Sequence, residues 1–92
     1  LQNKILEAMA MRKPCICSLL ANQGIRATNG DQILLANTPP EYAQHILSLL
    51  RDPEKQKRLG LAGHQFVNDN YGWDAATQIL LRALRNEEGT SH

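Results

Sequence analysis

The stretch that decides the fold is Asn3-Lys4-Ile5-Leu6-Glu7-Ala8-Met9-Ala10-Met11-Arg12-Lys13-Pro14-Cys15-Ile16-Cys17-Ser18. Its first nine residues are helix formers with apolar side chains on nearly every side, which predicts a helix over 3–11 buried on two faces. Pro14 stops that helix, and the short apolar run that follows suits a buried strand, with Pro tolerated at its first position. A helix that leads directly into a buried strand predicts an α/β layer.

Downstream, Asn22-Gln23-Gly24 and Thr28-Asn29-Gly30 carry turn residues, so 19–29 reads as an irregular loop with its sharper turn at Asn29-Gly30. Gln32 to Ala36 reads as a second short strand. Thr38-Pro39-Pro40-Glu41 combines an N-cap hydroxyl, proline where no N–H is needed, and a glutamate three residues past the cap, the signature of a capping box. Ala43, Ile46, Leu47 and Leu50 follow at i, i+3, i+4 and i+7, which predicts that they form the buried stripe of this helix. Asp52-Pro53 repeats the cap-plus-proline signal and opens another helix, with Leu59, Ala62 and Phe66 inward, Arg51 to Arg58 as a solvated charged face, and Gly60 and Gly63 weakening its middle. Asn68 to Gly72 ends it. Trp73 opens a last helix with Ala76, Ile79, Leu80, Ala83 and Leu84 at helical spacing, and 87–92 reads as a disordered polar tail.

Composition narrows the classes of function. With 10 Lys+Arg against 9 Asp+Glu the net charge is +1, which argues against a sequence-independent nucleic-acid binder. Fourteen Leu and 10 Ala against 6 Ile and one Val favour helix over sheet. No apolar run approaches the ~20 residues of a membrane helix, and no secretory signal is visible. Two cysteines, Cys15 and Cys17, are too few and too close for a disulfide framework, so a reducing compartment is expected. At i and i+2 they share one strand face and could hold a soft metal, but no histidine or further cysteine has matching spacing; small core residues are the simpler reading. His45 and His64, on separate helices among polar neighbours, read as surface residues, and Trp73 as core packing rather than a sugar-stacking ring. A chain this short holds a single core. Two parallel strands joined by a short, non-helical loop would be odd for a complete domain, and a two-stranded sheet is marginal alone, so the expectation is a piece of a larger doubly wound domain that opens at Leu1 inside a helical pattern.

The run Gln2 to Met11 followed by Lys13-Pro14 and an apolar strand resembles the donor-site segment of retaining glycosyltransferases of the GT-B fold, group 1 (family 4-like). Asp52-Pro53, Arg58-Leu59-Gly60 and Tyr71-Gly72-Trp73 resemble the closing helices of that family. The likeness runs from about Gln2 to Leu84 and is nearest to the bacterial exopolysaccharide branch. It implies a partial Rossmann-like half-domain of two short parallel strands and about four helices. Residues 1–86 would be the C-terminal portion of the nucleotide-sugar-binding domain.

The resemblance also implies the chemistry. Glu7 matches the second of the two glutamates that the family keeps with seven residues between them, and would accept hydrogen bonds from the vicinal ribose hydroxyls of the donor. Backbone amides near Gln2 and Asn3 would face its diphosphate, with Lys4 beside them. The first glutamate falls upstream of Leu1. The chain departs from the family at Arg12, where glycine is usual as a left-handed helix cap. The partners implied are a nucleotide-diphosphate sugar and the upstream part of the same protein, including its acceptor domain. Neither a metal nor another cofactor is implied, nor nucleic acid. The location implied is cytoplasmic, with peripheral membrane association of the parent allowed. The 92 residues alone are expected to be inactive. The competing reading is a non-catalytic helical interaction module, in which Glu7 serves only the helix dipole and Gln2, Asn3 and Lys4 are a solvated helix start.

Overall fold

A computed structural model describes residues 2–90 of the chain. Within it α1 (Gln2–Ala10) leads to β1 (Ile16–Cys17), α2 (Leu19–Ile25), β2 (Leu34–Leu35), α3 (Pro39–Arg51) and α4 (Pro53–Thr90). The strands are parallel, with Ile16 opposite Leu34 and Cys17 opposite Leu35. The architecture is a helix-dominated, partial Rossmann-like half-domain built on an open two-stranded parallel sheet.

The connection between the strands is a helix, not the irregular loop expected for 19–29. Ser18 caps it, its Oγ accepting from the Ala21 N–H at 3.1 Å. The asparagine taken for a turn signal lies inside α2 and clamps the exit. Asn22 Nδ2 donates to the Ala27 carbonyl at 2.8 Å, and its Oδ1 accepts from the Ala27 N–H at 3.0 Å. The chain leaves α2 through Arg26 in the left-handed conformation (φ 66°). Seven residues with Asn22, Gln23 and Gly24 in their second half carry too little hydrophobic period to stand out from a loop. The crossover is thus the ordinary βαβ kind, and its oddness is no argument that the domain is partial.

The capping box at Thr38 forms as the sequence predicts. Glu41 Oε1 accepts from the Thr38 N–H at 3.0 Å while Thr38 Oγ1 accepts from the Glu41 N–H. The face that α3 buries differs from the expected one. Ile46 and Leu47 are 48% exposed and Leu50 69%, whereas Leu49 is buried and Tyr42, His45 and Ser48 are half-buried. Two apolar stripes overlap on this helix, and the tertiary contact selects the one through Leu49, which joins Leu34 and the fully buried Leu59.

In α4, Leu59 and Phe66 point inward as expected, with Val67 beside them. Gly60 and Gly63 also admit the α1 segment. A Cβ at Gly60 would collide with the backbone carbonyl of Arg12, and one at Gly63 would lie 3.2 Å from the Gln32 carbonyl and 3.5 Å from Met9. Gly72 breaks α4 at φ 77°, ψ 164°, a region open only to glycine, where the sequence places the end of one helix and the start of the next. The side chains of Trp73 and Ala76 lie outside the described residues, as do positions 91 and 92, while α4 runs to Thr90.

The two edges of the sheet are unlike. On the outer edge of β2, Asn29 Oδ1 accepts from the Leu35 N–H at 3.0 Å and His45 Nε2–H donates to the Leu35 carbonyl at 2.9 Å. Side chains thus satisfy the groups another strand would need. On β1, the alternation of a parallel ladder turns the N–H and C=O of Ile16 away from β2, where no strand stands among the described residues.

Candidate donor-binding site

α1 carries every residue singled out for the site. Glu7 is the sixth of its nine residues, past the first turn, and that turn holds no acid. The helix dipole acts on charges within the terminal turns, so it gives no reason for a carboxylate here. Glu7 is nevertheless buried, 7% exposed, and its ionic partner is Lys4 one turn earlier, Nζ to Oε2 3.7 Å. Lys4 itself is largely exposed, as is Asn3. The side chain of Gln2 lies outside the described residues. A glutamate covered to this degree is unlike an ordinary solvated helix residue.

The turn after α1 sets the direction of β1. Arg12 takes φ 62°, the left-handed cap that glycine usually supplies. The Lys13 N–H reaches the Ala8 carbonyl at 3.0 Å and the Arg12 N–H the Met9 carbonyl at 3.0 Å, the paired bonds of a Schellman motif. Arginine here leaves the turn unchanged and costs about 1 kcal/mol relative to glycine. One carbonyl of the last turn finds its partner far along the chain: His64 Nδ1–H donates to Ala10 O at 3.0 Å, and Asn68 Nδ2 donates to His64 Nε2 at 3.2 Å. His64 and His45 are therefore half-buried, hydrogen-bonded residues rather than surface ones, and no periodicity marks such pairings in advance.

The cysteines are packed away from this chemistry. Burial pushes the Cys15 thiol up to about 11, with the neighbouring Cys17 adding to the shift and Lys13 opposing it. Burial raises Cys17 too. Both stay protonated at neutral pH, which suits neither a nucleophile nor a metal ligand. Among the described residues no cluster of three metal-ligating side chains exists, and no helix is long and apolar enough to cross a membrane.

The family profile described as Glycosyl transferases group 1 matches residues 1–52, the span that holds α1, both strands and α3 up to its cap. The chain belongs to the group 1 glycosyltransferases. It is 30% identical over 70 residues to Glycosyltransferase 1 domain-containing protein 1 of Xenopus tropicalis, covering 76% of this chain and 20% of that protein. It is 35% identical over 81 residues to Spore coat protein SA of Bacillus subtilis (strain 168), covering 82% of this chain and 21% of that protein. The chain thus spans about a fifth of the length of these relatives. No solved structure matches it.

Proposed function

We propose that these residues are the C-terminal portion, 1–86, of the donor-binding domain of a group 1 glycosyltransferase acting in the cytoplasm. That enzyme transfers a sugar from a nucleotide-diphosphate sugar to an acceptor during polysaccharide or glycoconjugate synthesis. The observation that carries the reading is Glu7: a buried carboxylate, beyond the first turn where the helix dipole would favour it, on a helix that runs into a parallel strand within the span matched by the family. A carboxylate there accepts two hydrogen bonds at once, which suits the adjacent hydroxyls of a ribose. The N–H groups at the start of α1, near Gln2 and Asn3, suit the diphosphate, and Lys4 adds a cation beside them. Negative charge on the departing diphosphate is then stabilised by amides and cations.

The open edge of β1 supports the partnership with the rest of the protein, since a parallel strand laid against Ile16 would complete its hydrogen bonds. The remaining strands, the acceptor domain and the other glutamate belong to that part. The 92 residues by themselves therefore neither hydrolyse nor transfer from a nucleotide-sugar.

Titrating uridine and guanosine diphosphates into the full-length protein tests the reading. The expected result is binding of one of them, weakened at least tenfold by Glu7→Ala. Binding indifferent to Glu7→Ala refutes it. In the isolated chain, backbone amide shifts should cluster at 2–7; shifts centred on the second half of α4 count against the site.

A further inference from the structure

We infer that His64 is a positioning residue for the donor site, an inference that rests on the reading of Glu7 above. The last turn of α1 leaves carbonyls that the helix cannot satisfy itself. Those of Ala8 and Met9 are taken by the Lys13 and Arg12 N–H groups of the Schellman turn. The carbonyl of Ala10 is taken by His64, 54 residues away on α4. Ala10 and Glu7 are three apart and share one face of α1, so the point of attachment lies one turn from the carboxylate. On α4, Gly60 receives the Arg12 carbonyl one turn before His64, and Gly63 receives Met9 beside it. The glycines set how close α1 comes; the histidine bond sets where it stops along its own axis.

The pairing behind His64 carries the same purpose. A carbonyl only accepts, so Nδ1 bears the proton and Nε2 is left as an acceptor. Asn68 meets it with its amide nitrogen at 3.2 Å. That orientation leaves Asn68 Oδ1 buried with no hydrogen-bond partner among the described residues. The flipped amide would set a lone pair against a lone pair, so the orphaned oxygen is the counterpart of holding the histidine in this tautomer. Buried orphans are rare in folded proteins, and this one stands behind the residue that anchors the helix of Glu7. A side chain there whose only task was to fill space would need neither the bond nor the orphan.

Two substitutions separate position from bulk. Asparagine carries its amide nitrogen where histidine has Nδ1, whereas glutamine carries it one bond further, toward Nε2. In the full-length protein, His64→Asn keeps the bond to Ala10 and His64→Gln loses it. With uridine and guanosine diphosphates as probes, the dissociation constant of the one that binds rises about fivefold in His64→Gln, the worth of one neutral hydrogen bond, and stays at the wild-type value in His64→Asn. Thermal midpoints recorded beside the titrations show whether both variants are folded. Equal affinities for the two variants, whether both weakened or both unchanged, overturn the inference. Should Glu7→Ala bind as tightly as wild type, or neither diphosphate bind at all, the reading of Glu7 fails first and the inference falls with it.

Discussion

α1 and α3 are two helices of the same chain specified in opposite ways. α3 has every local signal: a capping box, proline at its start, and a basic residue in its last turn. Yet its apolar positions Ile46, Leu47 and Leu50 face outward. α1 has no acid in its first turn and an arginine where a glycine cap belongs, yet Met9 is wholly buried and its end is gripped by Gly60 and His64. Local signals determine that α3 is a helix; contacts more than 40 residues away determine where α1 lies. The site stands on the helix whose position depends on the fold.

If this division is right, changes at the α1–α4 contact should cost most. Met9→Ala removes a fully buried side chain and should destabilise the isolated chain by about 2–5 kcal/mol in urea denaturation. Gly60→Ala is the sharper trial, because helix propensity alone predicts a gain of about 1 kcal/mol. The new Cβ instead meets the Arg12 carbonyl, a backbone atom that cannot step aside, so a net loss of about 2 kcal/mol is expected. A stabilised Gly60→Ala would show that α1 is free to move, and the contrast between the helices would disappear.

Arg12→Gly tests the same turn with the opposite sign. Because Arg12 already holds a left-handed conformation, glycine should stabilise by about 1 kcal/mol, less the added freedom of the unfolded chain. For α3, Leu50→Ser should change stability by no more than about 0.5 kcal/mol, since the side chain is already 69% exposed.

The same contrast explains what could be read in the residues. The helix of 3–11, both parallel strands, the capping box, and the break at Gly72 rest on neighbours within a few positions, and each is legible there. Glu7 stood out through its setting in the run Leu6-Glu7-Ala8-Met9-Ala10, but its burial was not legible, because the surfaces that cover it arrive from elsewhere in the chain. α2 was missed because Asn22, which reads as a turn former, uses its side chain to close a helix rather than to avoid one. The face of α3 was misjudged because Leu49 and Leu50 both continue an apolar period, and only the approach of Leu59 decides between them. Gly60, Gly63 and His64 gave no sign of their roles, since a glycine that admits a helix looks the same as one that loosens its own.

The smallest expected effect isolates the local half of the comparison. Glu41 is exposed, and its carboxyl is held below the usual carboxylate range, first by the hydrogen bond from the Asn37 N–H and then by the Thr38 hydroxyl. A carboxyl lowered in the folded state lends stability that is fully present above its unfolded pKa and is lost as pH falls through the folded value. Acidification should therefore loosen the start of α3 first, seen as lower amide protection relative to the intrinsic exchange rate at Thr38, Glu41 and Tyr42, while the bond from His64 to Ala10 does not involve this carboxylate. Glu41→Gln should remove that pH dependence and leave α1 unchanged. Were amide protection at the end of α1 to fall in step with that at Thr38, Glu41 and Tyr42, the two helices would be one cooperative unit, and the separation between a locally written helix and a tertiary one would fail.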